Sequence, residues 1–499
     1  MPSIRSNAGI AVSLSLLLAG CMSGPDFVPP ATPPDNNYEA TALPTATQQA
    51  AIHGGDAQHF RLGDDLPGEW WTLFHSPALD SLIKQALAAN PDLKAADAAL
   101  RQARELAVAN RAGLLPAVDA SASESRQQTS GASSGIPIFS SIYNLTTGAV
   151  AVSYNPDVFG GTHRAIEAGE ASADFQRWQR EAAVLTLTAN IVTTALQEAA
   201  LRAEILATKQ IIDAEAEQLT VVKRQFTLGG AAKTDILAQE SLLAQSRATL
   251  PPLENQLQQQ RHLLAALAGR SPNQGVVAEF ELASLSLPAE LPVTIPAKLV
   301  QQRPDIRAAT ANLHFANAEI GVAIANQWPQ LTLSANYGTA ADQIGSLFTP
   351  AGQLWSIGAG VTQPIFHGGA LAHRRAAAEA AFEQAQAQYQ STVLTALRNV
   401  ADSLRALQSD AETLHQQLDY AQSAAASLTL AKQRFAVGAI SHLSLLDAER
   451  TEAQARIALI QAQAARFADT AALFQALGGG WWNRPDTTLP APDLLTPLF

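Results

Sequence analysis

The chain has 499 residues, of which only 15% are charged, and its 32 Lys and Arg against 44 Asp and Glu give a formal net charge of −12. An acidic chain without a cluster of basic residues cannot neutralise a run of phosphates, so nucleic acid is excluded as its main partner. The hydrophobic share of 47% rests largely on Ala and Leu, a composition that favours long helices packed through small side chains.

The N-terminus has the pattern of a secretory signal. Arg5 precedes an apolar run over 8–19 that is too short to span a bilayer, and we predict a signal peptide over 1–20. The run ends in Leu-Ala-Gly-Cys, and Cys21 is the only cysteine, which excludes an internal disulfide. The pattern resembles a bacterial lipobox, which predicts that Cys21 is the acylated, palmitate-bearing first residue of a lipoprotein. Met22 favours the outer membrane as its address; the alternative is an ordinary signal peptide with an incidental cysteine.

Most of the mature chain reads as one unit present twice. Residues 21–75 are rich in Pro, Thr, Asn and Gln without periodicity, and we predict a lipidated tether there. Beyond it, three pairs of similar segments recur in the same order, separated by 208 to 213 positions: 90–93 and 303–306, 155–161 and 363–369, 223–240 and 432–449. We therefore predict an internal duplication, with a first unit over 76–285, a second over 286–478 and a C-terminal tail over 479–499.

Each unit is predicted to contain a helix that begins at Pro91 or Pro304 and is followed by two strands. The predicted strands lie near 116–126, 145–155, 330–338 and 353–362. The last strand has one apolar face, made by Trp355, Ile357, Ala359 and Val361. Such alternation over about ten residues is typical of a tilted strand in a membrane barrel, although strands of soluble sandwiches alternate too.

Long heptad patterns follow each pair of strands. Apolar residues step by 4 and 3 through 171–199 and 393–428, which indicates coiled-coil packing. We predict helices over about 165–226 and 369–436, each on the order of 90–100 Å long at 1.5 Å per residue. A globular core cannot cover helices of that length, so they need one another or further copies of the chain. No stretch beyond the N-terminal run reaches about 18 apolar residues, so no membrane-spanning helix is expected.

Each long helix is predicted to form a hairpin with a shorter partner. Gly229 and Gly438 fall where the heptad patterns break, and helices commonly end at a glycine in the left-handed conformation. The tips are expected near 226–236 and 435–447, and the partner helices over 232–268 and 441–476. Pro251-Pro252 predicts a kink or a restart in the first partner helix.

The number of predicted strands indicates that several copies of the chain share one barrel. Four strands cannot close a barrel, and an open sheet edge in lipid leaves backbone groups unpaired at several kcal/mol each. Because about eight strands leave a lumen filled by side chains, about a dozen strands from three chains give the smallest open barrel. We therefore predict an α+β membrane protein, a trimeric, 12-stranded transmembrane β-barrel continued by a long coiled-coil α-helical barrel. A lipidated tube of this kind serves as a conduit.

Short motifs along nearly all of the mature chain resemble one family. They are Gly24-Pro25-Asp26-Phe27, Trp70-Trp71 with Phe74 and Pro77, QQRPDI at 301–306, QPIF at 363–366, Arg434-Phe435 with Gly438, LLDA at 445–448 and ALGGGW at 476–481. Together they resemble the TolC-like outer membrane factors, in the lipoprotein branch of OprM/NodT type. The resemblance implies a homotrimer in the cell outer membrane that passes small molecules, such as drugs or toxic compounds, to the exterior. Its implied partners are a periplasmic adaptor (membrane fusion) protein and an inner-membrane transporter of RND type.

The resemblance also implies a gate at the periplasmic tip. In that family an aspartate near the last turn lines the constriction, and the matching residue is Asp447, with Leu443 just above it and Arg450 one turn on. Where some relatives carry a second acid this chain has Ser444, which aligns with Asp235 of the first unit, so Asp235 is the candidate for a second ring. Three ionised copies of one aspartate repel each other, and Arg450 at i+3 is placed to pair with Asp447. The alternative is a solvated Asp447 on the flank of a coiled coil.

Four residues of the two tips are predicted to make the turns and to dock the adaptor. They are Phe226, Gly229, Phe435 and Gly438. The phenylalanines precede the glycines by three positions in both units, so the prediction treats them as one element that occurs twice.

An enzyme is the first rival class. The chain has no HExxH, P-loop or dinucleotide motif, and its ten His are scattered without the spacing of metal ligands. The segment GASSG at 131–135 fits a nucleophile elbow formally but lies in a Ser/Gly-rich loop. We therefore expect no catalysis, no cofactor and no metal site. Two further rivals are a lipid-anchored structural coiled-coil protein and the exit duct of a protein secretion system.

Overall fold

The computed structural model describes five stretches of the chain: 22–34, 37–41, 44–130, 141–275 and 278–485. The predicted signal peptide, Cys21, the GASSG segment and residues 486–499 of the predicted tail lie outside these stretches.

Eight α-helices lie in the described stretches: α1 (Pro77–Ala89), α2 (Pro91–Ala112), α3 (Gly161–Thr227), α4 (Lys233–Leu267), α5 (Pro296–Gln302), α6 (Pro304–Ala325), α7 (Ala370–Ala436) and α8 (His442–Ala476). α3 and α7 each contain 67 residues, α4 and α8 each contain 35, and α2 and α6 each contain 22. At 1.5 Å per residue, α3 and α7 are about 100 Å long. Both begin and end within a few residues of the predicted limits.

Six strands accompany the helices in the same part of the chain: β1 (His59–Leu62), β2 (Ala117–Thr129), β3 (Ser141–Tyr154), β4 (Glu290–Val293), β5 (Gln330–Ala341) and β6 (Gln353–Thr362). β2, β3, β5 and β6 form one antiparallel sheet in that order, and they overlap the four predicted strands. β1 and β4 form a separate parallel pair that the sequence analysis does not predict.

Local signals explain where the paired helices α2 and α6 begin. The Asn90 side chain accepts hydrogen bonds from the backbone N–H groups of Asp92 (2.9 Å) and Leu93 (3.1 Å), and a proline follows it. Arg303 takes the same place before α6, but its guanidinium donates to the Asp305 carboxylate (2.6 Å) and to the carbonyl of Ala476 (2.7 Å). Since Ala476 ends α8, this arginine ties the start of α6 to the end of the last helix.

Part of the predicted tether over 21–75 is packed against the helices. Trp70, Trp71 and Phe74 are buried in a short 3₁₀ helix, and the rings of Trp70 and Phe74 lie 5.8 and 6.3 Å from that of Phe474 on α8. Nearer the N-terminus, the backbone N–H of Ser23 donates to the carbonyl that precedes α3 (3.1 Å). These contacts join residues that are far apart in the sequence, so they cannot be predicted from local periodicity.

α3 is the central helix and packs against α2, α4, α6 and α8. Contrary to expectation, one 18-residue window of α3 is apolar enough by length and composition to cross a membrane, and 61% of that window is buried inside the structure. Contacts with the neighbouring helices account for these apolar residues. α4 runs without a break through Pro251 and Pro252, so a restart there is wrong. Both prolines are exposed, where the carbonyls that lose their donors face water.

The heptad stripe of α7 is buried over its upper half, from Val393 to Leu414. Nearer the tip the predicted stripe residue Ala425 is exposed, and its neighbour Ala424 is buried instead. Near the tip the buried face of α7 is therefore displaced by one residue from the predicted heptad positions.

Candidate functional site: channel wall and helical tips

The four-stranded sheet has one apolar and one polar face. Residues paired across antiparallel strands share a face, and one row across all four strands is Val118, Val152, Ala335 and Ile357. The next row, on the opposite face, is Asp119, Ala151, Asn336 and Ser356. On the apolar face Trp355 and Ile357 are 72% and 79% exposed. Within the described chain this apolar face is therefore open, as the lipid side of a membrane barrel requires.

The two edges of the sheet are open as well. β2 pairs only with β3, and β6 pairs only with β5, among the strands that the structure describes. Each edge strand therefore presents a row of backbone N–H and C=O groups without ladder partners. In hydrocarbon such groups cost several kcal/mol each, so the sheet is complete only when further strands continue it.

Both hairpins turn at a glycine in the left-handed conformation. Gly229 has φ of 77° and Gly438 has φ of 72°. At the first tip the N–H of Gly230 donates to the carbonyl of Gln225 (2.8 Å), and at the second the N–H of Ala439 donates to the carbonyl of Arg434 (2.8 Å). These bonds satisfy carbonyls at the end of each long helix, which is the Schellman arrangement. The two turns are therefore built alike.

The two tips differ in how the next helix is capped. At the first tip an Asp235 carboxylate oxygen accepts the N–H of Ala232 (2.8 Å), which is one half of a capping box; the alanine side chain has no acceptor for the other half. At the second tip the Ser441 hydroxyl accepts the N–H of Ser444 (3.2 Å), and the two hydroxyls lie 3.0 Å apart. Asp235 and Ser444 thus occupy equivalent positions in the two hairpins. The Asp235 carboxylate lies near the tip and also caps the start of α4.

The predicted gate residues lie on the exposed side of α8. Leu443 is 74% exposed, and Asp447, one turn further, is exposed on the same helical face. Arg450 is also exposed, and among the described residues it forms no ion pair with Asp447. The predicted i+3 pair is therefore not formed in the single chain, and its formation in an assembled gate stays a prediction. Both side chains face solvent, where an ion pair gains little over hydration.

The phenylalanines at the tips differ in their surroundings. The Phe226 ring is 43% exposed, whereas the Phe435 ring is partly covered and lies 5.4 Å from the imidazole of His442. Beside the two turns, Leu228 and Val437 are both 79% exposed. The tips therefore present apolar side chains to solvent, which is typical of a surface that binds another protein.

A buried acidic pair that the sequence analysis missed lies just above the tips. Burial raises the pKa of Glu449 on α8 to about 6, and burial also raises the pKa of Glu215 on α3. The Gln239 amide lies between them, donating to the Glu215 carbonyl (3.4 Å) and toward a Glu449 carboxylate oxygen (3.5 Å). In the first hairpin the equivalent acid, Glu240, pairs on the surface with Lys223 (2.8 Å). The sequence shows that Glu240 and Glu449 are equivalent acids in the two units, but it does not show that Glu449 is buried.

A second buried polar cluster joins α7 and α8. Burial, and then the neighbouring Asp469 carboxyl, raise the pKa of Asp410 to about 7, while Arg466 opposes the rise. The Arg466 side chain is completely buried, and its guanidinium donates to the Thr47 hydroxyl (3.1 Å) in the N-terminal segment. A carboxyl buried beside another carboxyl keeps its proton to a higher pH, because two adjacent charges repel.

Asp410→Asn should stabilise the protein at pH 8 and have little effect near pH 4. Between the ordinary pKa of 3.8 and about 7, folded Asp410 retains a proton that the unfolded chain loses, so the free energy of unfolding falls as the pH rises through this interval. Asparagine stays neutral and removes that loss. Chemical denaturation at both pH values measures the difference. The exposed Asp402 on the same helix gives the control, since Asp402→Asn should not change the pH dependence.

Among the described residues, no group of three or more His, Cys, Asp or Glu side chains is placed to bind a metal ion. An antiparallel sheet with one open apolar face, continued by helices about 100 Å long, is the architecture of an outer-membrane channel protein. The chain belongs to the outer membrane efflux protein family, which it matches over residues 82–270 and 295–479.

Relatives across the family agree with this assignment. The chain is 32% identical to the pyoverdine export outer membrane protein OpmQ of Pseudomonas aeruginosa, over 94% of this chain and 96% of the relative. It is 28% identical to the probable efflux pump outer membrane protein TtgC of Pseudomonas putida, over 99% of both chains. The protein is therefore an outer-membrane efflux channel, and the family consists of channels rather than enzymes.

Solved structures share the fold. The outer-membrane channel OprN superimposes with a TM-score of 0.83 at 26% identity, over 92% of this chain and all of that one. The outer membrane protein VceC of Vibrio cholerae gives a TM-score of 0.78 at 26% identity, over 83% of this chain and 100% of that one.

Proposed function

We propose that three copies of the chain form one exit duct, with a 12-stranded barrel in the outer membrane and a helical tunnel in the periplasm. The open apolar face of the sheet, continuous with the long hairpins, is the observation that carries this proposal. The unpaired edges of β2 and β6 support it, since each edge finds a partner when the sheets of neighbouring copies join.

The proposed duct contains two equivalent units per chain, over 76–285 and 286–478, that arose by internal duplication. Equal helix lengths support this origin, with 67 residues in each long helix and 35 in each partner. So do the two turns at Gly229 and Gly438, which share one backbone conformation. The proposed tunnel is then lined by hairpins that alternate around the axis between first and second units.

The N-terminus is proposed to be anchored by acyl chains on Cys21, which lies outside the described residues. The position of its neighbour supports this: atoms of Met22 lie against Gly160, directly before α3, on the side of the molecule where the sheet meets the helices. An acylated residue next to Met22 is therefore close to the end of the barrel. Acyl chains there reach the bilayer without an extended linker.

The helical tips are proposed to bind a periplasmic adaptor protein that joins the duct to an inner-membrane transporter. Exposed apolar side chains at the tips, among them Phe226, Leu228 and Val437, support a protein partner at this end. Phe435 and the glycine turns present these residues. The proposed gate lies beside them, with Leu443 and Asp447 from three copies at the constriction and Asp235 or Ser444 near it.

The proposed cargo is small molecules. The names of relatives specify pyoverdine, toluene and antibiotic export, so small-molecule export is the class that they have in common. Protein secretion remains the second candidate cargo, since transport through an open duct needs no shaped pocket that selects the cargo.

A gel experiment distinguishes the duct from a lipid-anchored structural protein. A variant with an ordinary cleavable signal peptide in place of residues 1–21 carries no lipid. We expect it to leave membranes only with detergent and to migrate, unless boiled, at about three times the 52.5 kDa chain mass, as a closed barrel does. A variant that is soluble in buffer as a monomer would contradict the proposal.

A further inference from the structure

A cavity of about 350 Å³ lies below the sheet, between the N-terminal segment and three long helices. Phe27 and Pro29 of the N-terminal segment form one wall, Trp178 of α3 and Arg307 of α6 form another, and Tyr389 of α7 closes it. Cavities of this size suit small ligands. Arg177, the neighbour of Trp178, lies 16 residues into α3, which places it about 24 Å from the helix start and away from lipid headgroups.

Two guanidinium groups stack on one buried indole in this cavity. The Cζ atoms of Arg177 and Arg307 lie 4.8 and 4.5 Å from the ring centre of Trp178, whose side chain is only 6% exposed. The Trp481 ring packs against the same indole at 4.9 Å and fixes it. Stacking occupies the faces of the guanidinium groups and leaves their N–H edges available to an acceptor.

The charges of these arginines are poorly balanced. Among the described residues, neither Arg177 nor Arg307 has a carboxylate within ion-pair distance. Asp174 also lines the cavity and opposes the lowering of the Arg307 pKa, but Asp174 and Arg307 are both exposed, so water screens this attraction. Burial and the charge of Arg177 together lower the pKa of Arg307. By contrast, the adjacent Arg180 is neutralised by Asp97 at 2.7 Å. Two like charges held together without a counterion favour an anion between them.

The remaining walls match a flat apolar group with a polar end. The Phe27 ring stacks on His314 at 4.4 Å, and Asn317 donates to the Pro25 carbonyl (3.0 Å), so the N-terminal wall is held in place. Tyr389 is only 7% exposed as a residue, lines the cavity, and forms no hydrogen bond through its hydroxyl among the described residues. The hydroxyl is therefore free to donate to an acceptor bound in the cavity.

We propose that this cavity binds a small carboxylate carried on a flat, apolar group. The two guanidinium edges of Arg177 and Arg307 clasp the carboxylate, the Tyr389 hydroxyl donates to it, and Phe27, Pro29 and Trp178 contact the apolar part. Planar guanidinium groups match a carboxylate through paired hydrogen bonds, which a neutral alcohol cannot accept in the same way. The site lies in the wall of the duct rather than at its tip, so it goes beyond the channel function and does not depend on the gate.

Calorimetric titration of the detergent-purified, full mature protein with 2-naphthoate tests the proposal. 2-Naphthalenemethanol has nearly the same shape without the charge, and inorganic phosphate has charge without the flat group. We expect naphthoate to bind saturably and at least about tenfold more tightly than either analogue, since losing one charge-assisted hydrogen bond is enough to weaken binding by that factor.

Matched variants separate the site from detergent effects. Arg307→Gln should weaken naphthoate binding about tenfold or more, and Tyr389→Phe should weaken it severalfold. Arg375→Gln changes an exposed arginine that pairs with Glu379 on α7, outside the cavity, so naphthoate binding should be unchanged. Naphthoate that partitions into detergent micelles would give the same background signal with this variant as with the wild type. Equal binding of the neutral alcohol, or equal affinity in Arg307→Gln and wild type, would overturn the proposal. Channel conductance in Arg307→Gln should stay at the wild-type value, so the two proposals fail independently.

Discussion

Ile357→Arg should lower the amount of assembled protein in the outer membrane by at least about tenfold, because an arginine on the lipid face near the bilayer midplane costs about 2–4 kcal/mol. Ile357 lies on the apolar face of β6 in the row with Val118, Val152 and Ala335. In the proposed trimer each of the three copies adds the same cost. The amount of heat-modifiable, detergent-extracted trimer per cell measures the effect.

The neighbouring residue supplies the control. Ser356 lies one position earlier on the same strand and on the polar face, in the row with Asp119 and Asn336. Ser356→Arg places the same side chain toward the lumen, where water remains available, so we expect near-normal amounts of trimer. Equal loss in both variants would mean that the two faces are not lipid and lumen, and the barrel assignment would fail.

Asp447→Ala should raise the single-channel conductance severalfold and admit vancomycin-type antibiotics into the cell. At the proposed constriction, three copies of Asp447 and Leu443 face the axis from an exposed side of α8. Replacing each carboxylate by a methyl group widens the opening and removes the groups that bind cations there. Planar-bilayer recordings of the purified variant and the growth of cells with the antibiotic measure both effects.

Asp213→Ala is the matched control for the gate. Asp213 is an exposed acid on α3, 14 residues before the end of the helix and so about 20 Å above the tip. The variant removes the same charge at a distance from the proposed constriction. Unchanged conductance in Asp447→Ala would remove that residue from the gate, and the same gain in Asp213→Ala would show a general charge effect instead.

The sequence predicts the elements of this fold well, because their signals are local and long. The heptads that predict α3 and α7 continue over many turns, and the alternation through Trp355 and Ile357 predicts β6. Gly229 and Gly438 can be recognised as turn residues because each lies where a heptad pattern breaks, and the two positions are equivalent in the two units. These patterns depend on neighbours within one element, so one sequence is sufficient to detect them.

Contacts between distant parts of the chain could not be predicted in the same way. The burial of Trp70 depends on Phe474, and the burial of Arg466 depends on Thr47 in the N-terminal segment. From sequence alone, charged residues such as Glu449 and Asp410 are predicted to face solvent, because the helices that pack against them are not known. The missing Asp447 and Arg450 pair has the same origin, since helical spacing permits an ion pair but does not supply the burial that would favour it.

Single-channel recording of the purified wild-type protein in planar bilayers tests the central claim most directly. A trimeric duct, even with its tip nearly closed, should give discrete conductance steps that grow in number with the protein added. The steps should disappear when the trimer is dissociated by boiling before reconstitution. Silent bilayers at all voltages, with protein shown to be inserted as an intact trimer, would contradict the account of this chain as a channel.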